Sequence, residues 1–365
     1  MLLSSCDREW LRETIAAQRA KPIKLVLSYG GGSANLHWSK KERAARMRQM
    51  QKKQPKSFEL ALERAERAFS QNSTIPFTSQ PLRVDWSSMP KVLDVQGGGL
   101  PSERTDRKRK QLENIMTHAV RLALPNARIV DFCCGVGHQS LPLAYLRPDC
   151  QFILLDKHLP SLQRAKKRAE FAHLRNVQFC LASVQDFNQD FDLGIALHAC
   201  GAATDDVLTC CIKKGAAFVI SPCCLGGVTP IAKSQQLRSA LVDPSHFSSL
   251  AKAADTVVSD TSGATVHYQN QDRSLKYHTR RRVKRSCQNN NLTAARAKCM
   301  TILDLDRLAY AQDHASYATC LTKMVPPSAS PKNHILLGAL LTSAAFYARL
   351  GAAYNFTSTG KITHK

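Results

Sequence analysis

Two carboxylates and two glycines in the sequence have the spacing of a nucleoside-binding site. Asp131 comes at the end of a short apolar run, and a loop with Gly135 and Gly137 follows it. A second apolar run ends on Asp156, nineteen residues beyond Gly137. Glycines let the backbone approach a ligand closely, and an acid at this distance can accept hydrogen bonds from ribose hydroxyls. The pattern predicts a site for an adenosine-containing cofactor.

The loop favours a cationic cofactor over a dinucleotide. Its residues run Gly-Val-Gly-His-Gln-Ser from Gly135 to Ser140, so the third glycine of a dinucleotide-binding loop is missing. Asp131 would repel a pyrophosphate, whereas a carboxylate suits the ammonium and sulfonium of S-adenosyl-L-methionine. The segment resembles the D-x-G-x-G-x-G loop of class I methyltransferases, with Cys133 in place of the first glycine. An ordinary strand-to-helix turn is the alternative that these residues leave open.

The elements that would position this loop alternate regularly from residue 127 onward. Apolar runs predict strands at 128–133, 151–155, 176–181, 192–198 and 216–221, and later ones at 298–304 and 333–338. Helical patterns occupy 139–147, 160–173, 203–214 and 244–255, and another helix precedes the first strand. Such alternation indicates an α/β fold with a mostly parallel sheet and helices on both faces.

Ligands of such sheets bind beyond the carboxyl ends of the strands, where three loops of this chain would meet. These loops are Cys133–Gly137, Leu197–Gly201 and Ser221–Cys224. The end of the third strand, near Ser183 and Asp186, would border the adenine.

Two of these loops carry a resemblance to a known family. Ala196-Leu-His-Ala-Cys-Gly-Ala-Ala-Thr-Asp205, followed by Ser221-Pro-Cys-Cys224, resembles the LHACG…TD…PCC signature of a subgroup of class I methyltransferases. That subgroup includes a ribose-methylating tRNA enzyme and the methyltransferase domain of glutathione S-transferase C-terminal domain-containing proteins. The second is more similar, also at Gln111–Asn114, Arg164–Arg168, Leu303–Arg307 and Ser330–Asn333. The resemblance covers residues 86–340.

The resemblance implies a Rossmann-like class I methyltransferase fold with a mostly parallel seven-stranded sheet. It also implies S-adenosylmethionine contacts at Asp131, Cys133, Gly135, Gly137, Asp156, Ser183 and Leu197. Family members carry an all-helical transferase-type domain that needs more than the first 85 residues of this chain, so no glutathione role is implied.

His198 is the candidate general base, because an imidazole titrating near neutrality could take a proton from a hydroxyl or an amine. The alternative is an imidazole that is hydrogen-bonded to the backbone and shapes the pocket. Cys200, Cys223 and Cys224 would approach one another nearby, and with His198 they form a set in which zinc could bind. Buried thiols are the favoured interpretation, and no metal is predicted.

The chain divides into three predicted regions. Residues 1–85 form a basic, partly helical extension, with helices expected at 39–53 and from Phe58 to Phe69. Residues 86–345 form the methyltransferase domain, with an irregular basic insert at 270–296. Residues 346–365 form a C-terminal tail.

The composition favours a polyanionic partner. The chain of 365 residues has 51 Lys and Arg against 28 Asp and Glu, a formal net charge of +23. Such a surplus favours RNA first among polyanions, although general solubility charge would also produce it. The basic run 280–285 would clamp phosphates, serve as a nuclear address or, as we favour, stay solvated.

Thirteen cysteines without a regular framework, and no leader pattern before Cys6, predict reduced thiols and a cytoplasmic protein, with the nucleus as the alternative. No apolar run reaches membrane-spanning length.

The sequence therefore predicts an S-adenosylmethionine-dependent methyltransferase whose acceptor is RNA, with tRNA as the first candidate. One alternative is methylation of a protein or a small molecule. The other is a degenerate methyltransferase fold that serves as a binding scaffold. Cys133 in the glycine loop and the lack of an N/D-P-P-Y motif favour that second alternative.

Overall fold

The computed structural model describes residues 58–70, 81–223, 225, 233–241, 243–255, 290–342, 355–356 and 362–363. The helix expected at 39–53, Cys224, residues 270–289 and most of the C-terminal tail lie outside the described residues. All described residues belong to one compact unit, Lys56–Lys365.

Seven strands form one sheet, in the order β3-β2-β1-β4-β5-β7-β6. The strands are β1 Arg128–Phe132, β2 Gln151–Asp156, β3 Val177–Leu181, β4 Leu193–Leu197, β5 Ala217–Ser221, β6 Tyr317–Lys323 and β7 His334–Leu340. The first five pair in parallel, and β7 is antiparallel to both β5 and β6. The predicted α/β class and seven-stranded, Rossmann-like sheet are confirmed. Two further short strands, β8 Asn355–Phe356 and β9 Ile362–Thr363, pair with each other.

Helices cover both faces of the sheet. They are α1 at 58–68, α2 Ser102–Leu122, α3 Ser140–Leu146, α4 Leu159–Phe171, α5 Ala202–Lys214, α6 Gln235–Ala240, α7 Pro244–Asp255 and α8 Asn290–His314. Side chains of α2, α3 and α4 pack in one core, and those of α1, α5, α7 and α8 pack in the other.

The strand sequences explain this two-sided burial. Successive side chains of a strand point to opposite faces, so Phe152 and Leu154 enter the core of α2 to α4. Ile153 and Leu155 enter the opposite core. A strand buried on both faces reads as a continuous apolar run, which is why β2 was recognisable in the sequence.

One predicted strand is wrong, and one strand of the seven-stranded sheet was missed, as were the short strands β8 and β9. Residues 298–304 lie inside α8, where Cys299, Ile302 and Leu303 are buried. A short apolar run fits a buried helix as well as a strand, and periodicity alone does not separate them. The missed strand is β6. Residues 290–296 of the expected irregular insert are also helical, because α8 begins at Asn290.

A buried charge network joins α8 to the sheet and to α5. Arg307 donates to Asp205 Oδ1 and to Asp304 Oδ1, each at 2.9 Å. Asp304 Oδ2 lies 2.8 Å from His334 Nδ1, and the His334 carbonyl accepts a hydrogen bond from Ser221. The network thus ties β7 to β5 and both strands to α8 and α5. No helix among the described residues is both long and apolar enough to cross a membrane.

Candidate functional site

The glycine loop, residues Cys133–Gly137, connects β1 to α3 at the edge formed by the carboxyl ends of β1 to β5, hereafter the carboxyl edge. Asp131 lies in β1 and Asp156 is the last residue of β2, so parallel pairing brings both acids to this edge. The Gly135 N–H donates to Asp156 Oδ2 at 2.8 Å, and the His158 N–H donates to Oδ1 at 2.8 Å. The second acid therefore holds the glycine loop in place.

The backbone of the loop is left-handed at three positions. The φ angles are +59° at Cys133, +58° at Gly135 and +72° at Gly137. A Cβ atom at Gly137 would lie 2.8 Å from Leu141 Cγ, so both the conformation and the space require glycine there. Cys133 replaces the first glycine of the loop pattern that the sequence resembles. Its left-handed conformation costs about 1–2 kcal/mol for a residue other than glycine.

Asp131 is buried without full compensation. Its side chain is 2% exposed, and Oδ2 has no hydrogen-bond partner within the described residues. Burial raises the pKa of this carboxyl to about 7; the Asp156 charge adds to the shift, while Lys108 and Ser140 oppose it. A carboxylate in this state gains strongly from a cationic ligand.

Polar atoms next to the loop share this lack of partners. His138 Nδ1 and both polar side-chain atoms of Gln139 are buried and make no hydrogen bond in the part of the chain that the structure describes. Buried polar atoms are almost always paired in native proteins, so this group needs water or a polar ligand as its partner. Together with the Asp131 carboxylate, they fit the zwitterionic end of an amino-acid-bearing cofactor.

Lys108, near the start of α2, also belongs to the site and was missed as a site residue. Burial lowers the pKa of its ammonium to about 8, while the charges of Asp131 and Cys223 raise it. The beginning of α2 therefore lies at the carboxyl edge. The available signal was a lysine in register with the apolar stripe of Leu112, Ile115 and Ala119.

His198 follows β4 and adopts a φ of +71°. Its Nε2 lies 3.2 Å from Gln111 Oε1, and Gln111 Nε2 donates to the Ala329 carbonyl at 2.6 Å. Because the Gln111 oxygen must accept, His198 donates through Nε2–H, and Nδ1 is left as an acceptor.

The titration expected for His198 is wrong. Burial, with a smaller contribution from Lys108, lowers the pKa of the imidazole to about 3. The ring is therefore neutral at physiological pH instead of titrating there. A pKa near neutrality applies to an imidazole in water, whereas the His198 ring is desolvated by the surrounding protein.

The remaining predicted contacts also lie at the ends of their strands. Leu197 ends β4 and pairs with Ser221. Ser183 follows β3, and its hydroxyl donates to Asp186 Oδ2 at 2.7 Å. Adjacent parallel strands bring these residues to the carboxyl edge beside the glycine loop.

Two thiols meet at this edge. Cys200 Sγ lies 3.0 Å from Cys223 Sγ, which confirms the expected approach of these residues. Cys200 is exposed and Cys223 is half-buried, which corrects the expectation that they are buried. No cluster of three His, Cys, Asp or Glu residues suited to a metal occurs among the described residues.

Comparison with known proteins identifies the family of this region. Residues 107–230 match the family described as Methyltransferase domain. They begin in α2 and include β1 to β5, the glycine loop, both acids and His198. Residues 107–230 form a methyltransferase domain. The resemblance to a methyltransferase domain is confirmed, whereas its LHACG and PCC motifs stay predictions.

The methyltransferase domain lies within a longer region of similarity. The glutathione S-transferase C-terminal domain-containing protein of Xenopus laevis is 35% identical over 270 residues, which cover 72% of this chain and 39% of that protein. The chain thus spans about two-fifths of the length of this relative. Ribosomal RNA small subunit methyltransferase G of Bacteroides fragilis is 30% identical over 124 residues, which cover 32% of this chain and 53% of that protein.

Solved structures show slight similarity to part of this chain. PKMT2 from Rickettsia typhi in complex with AdoHcy is 20% identical, covers 30% of this chain and 24% of its own, and has a TM-score of 0.25.

Proposed function

We propose that the chain is an S-adenosylmethionine-dependent methyltransferase. The observation that carries this proposal is the buried Asp131 carboxylate, whose Oδ2 has no hydrogen-bond partner among the described residues, beside the glycine loop held by Asp156. An acid whose pKa is raised to about 7 is costly to ionise, and a bound ammonium would offset that cost. The family match over residues 107–230 supports the same assignment.

The residues present fit this cofactor. Asp131 would accept from its ammonium, and Asp156, which has lone pairs beyond those used by Gly135 and His158, would accept from ribose hydroxyls. The orphaned atoms of His138 and Gln139 would complete the polar lining. When bound, S-adenosylmethionine supplies an electrophilic methyl group on a sulfonium.

The chain's part in the reaction is then alignment and proton removal. The loop after β4 would hold the acceptor, and the fold would exclude water from the carboxyl edge. His198 Nδ1 would accept a hydrogen bond from the nucleophilic hydroxyl or amine. The nucleophile becomes strongly acidic as it is methylated, so a neutral imidazole of lowered pKa is basic enough to take the proton at that stage.

We propose RNA as the acceptor. The formal net charge of +23 supports a polyanion, and so does the basic start of α2 with Arg107, Lys108, Arg109 and Lys110. Since Lys108 interacts with Asp131, this cluster adjoins the cofactor site. Lys110 is exposed and available to a phosphate.

Two experiments test the proposal. Calorimetric titration with S-adenosylmethionine and AdoHcy should give saturable heat, and neither heat nor thermal shift would favour the scaffold alternative. Methyl-labelled cofactor should then be incubated with RNA, protein and metabolite pools. Label in RNA supports the proposed acceptor, whereas label confined to another pool identifies one of the alternatives.

A charge reversal tests the role of the basic cluster. Lys110→Glu should weaken RNA binding and reduce the salt dependence of affinity, by about one unit of slope per lost phosphate contact. Lys213→Glu is the matched control, because exposed Lys213 lies at the end of α5, near the opposite edge of the sheet. Equal effects of both substitutions would mean that binding reflects overall charge.

A further inference from the structure

The guanidinium of Arg168, on α4, is buried and contacts four backbone carbonyls. Arg168 is 4% exposed. Nε donates to the Val92 carbonyl at 2.8 Å, Nη1 to Val136 at 2.5 Å, and Nη2 to Leu93 at 3.1 Å and Asp94 at 2.9 Å.

Burying the charged guanidinium of Arg168 costs free energy that packing alone does not require. Burial lowers the pKa of Arg168 to about 10, so the group remains charged at physiological pH. A buried charge needs full hydrogen bonding, and an apolar side chain would pack α4 on the sheet without that cost. The segments that the guanidinium contacts therefore indicate its structural role.

Arg168 joins two segments that are far apart in sequence. Val136 is the residue between Gly135 and Gly137 in the glycine loop. Val92–Asp94, hereafter the upstream segment, precedes α2. One cation thus connects the glycine loop to a segment more than forty residues earlier in the chain.

A second arginine continues the connection to α2. Arg109 holds the Asp94 carboxylate through Nε at 3.1 Å and Nη2 at 2.7 Å. Arg109 is the neighbour of Lys108, whose charge interacts with Asp131. The glycine loop, the upstream segment and the basic start of α2 are therefore linked by hydrogen bonds to two arginines.

We propose that Arg168 is a positioning residue for cofactor binding. By holding the Val136 carbonyl, it fixes the peptide plane between Val136 and Gly137 and so supports the turn in which the Gly137 N–H donates to the Cys134 carbonyl at 3.0 Å. By holding the upstream segment, it fixes Asp94 and, through Arg109, the helix that carries Lys108. This inference rests on the proposed function, because the ligand whose binding Arg168 would affect is S-adenosylmethionine.

Arg307 provides a matched control. It is also a buried arginine, 2% exposed, with two side-chain partners, Asp205 and Asp304. None of these partners belongs to the glycine loop or the upstream segment. Loss of either arginine should destabilise the fold, but loss of Arg168 alone should change the cofactor site.

The test compares R168Q, R168K and R307Q. Dissociation constants for S-adenosylmethionine are measured by calorimetry well below the lowest melting temperature of the set. R168Q should bind about ten- to a hundredfold more weakly than the wild type, since a displaced glycine loop loses its contacts with the charged ligand. R168K should be intermediate, and R307Q should bind like the wild type although it melts earlier.

A second measurement keeps the test decisive if R168Q does not fold. R168K retains the charge but lacks the planar fork, so hydrogen–deuterium exchange should be faster at residues 134–139 in R168K than in the wild type. Wild-type affinity together with wild-type exchange in R168K would overturn the inference. If the wild type binds no S-adenosylmethionine, the proposed function fails. The exchange comparison then still tests whether Arg168 holds the glycine loop in place.

Discussion

The Asp156 carboxylate accepts a hydrogen bond from the Gly135 amide at 2.8 Å, so the acid at the end of β2 and the loop after β1 act as one unit. The acid therefore has two roles in the proposed site. It orders the glycine loop, and it presents its remaining lone pairs to a ribose.

Replacing this acid should weaken cofactor binding. Asp156→Ala removes charge-assisted hydrogen bonds worth about 1.5–3 kcal/mol, so affinity for S-adenosylmethionine should fall about ten- to a hundredfold in calorimetry. Asp149→Ala is the control, because Asp149 precedes β2 at its amino end. Unchanged affinity in the Asp156 variant would show that the site is misplaced.

Cofactor affinity should depend on pH through Asp131. Its pKa is raised to about 7, so at lower pH a proton must leave before the carboxylate can accept from an ammonium. Affinity should therefore fall as pH decreases below 7, by up to about tenfold per unit, and level off above it. Titrations between pH 5.5 and 8.5, at about half-unit steps, would measure this dependence. Asp131→Asn should bind weakly with a flatter profile, and an equally steep profile in that variant would assign the proton to another group.

The left-handed conformation at Cys133 should determine the relative stability of two variants at this position. Cys133→Gly removes the conformational penalty and Cys133→Ala retains it, so the glycine variant should have the larger free energy of unfolding, by about 1 kcal/mol. Chemical denaturation of both variants measures the difference. Gly137→Ala should be worse than either, because its Cβ would also meet Leu141. An alanine variant at 133 more stable than the glycine variant would show that packing of the side chain dominates.

His198 should affect turnover more than binding. His198→Asn replaces the basic Nδ1 with an amide that cannot take a proton, so kcat should fall about a hundredfold or more while the dissociation constant of S-adenosylmethionine changes little. Gln111→Leu removes the partner that sets the tautomer and should lower kcat by a smaller factor. Because the pKa of His198 is about 3, the wild-type rate should show no inflection from this residue between about pH 6 and 9. Wild-type turnover in the asparagine variant would remove His198 from the chemistry.

The Arg307 network should contribute strongly to stability. Arg307→Met removes the guanidinium from buried Asp205 and Asp304, leaving Asp205 with Lys233 at 3.7 Å and Asp304 with His334 at 2.8 Å. The loss should cost about 3–5 kcal/mol in the free energy of unfolding. Arg67→Met breaks the exposed ion pair with Glu63 and should cost under about 0.5 kcal/mol. Denaturant unfolding compares the two. A similar small loss in both variants would mean that the buried network is replaceable by apolar packing.

The parts of the site that could be predicted are those set by local sequence. The glycine loop, Asp131 and Asp156 follow from one strand–loop–helix–strand pattern, and the structure brings them together. Lys108, Arg168 and the lowered pKa of His198 depend on residues brought close by the fold, so no local pattern identifies them as a group. The error at 298–304 has the same origin, because α8 and a buried strand present the same short apolar run.

The thiols of the glycine loop have a practical consequence for chemical labelling. Burial raises the pKa of Cys133 to about 12 and that of Cys134 well above its usual range. Alkylating reagents react with the thiolate, so both side chains should resist iodoacetamide and maleimides despite their position in the loop of the proposed cofactor site. Exposed Cys200 is open to such reagents, and a fluorophore attached there would report on the rim of the site while the loop stays chemically intact.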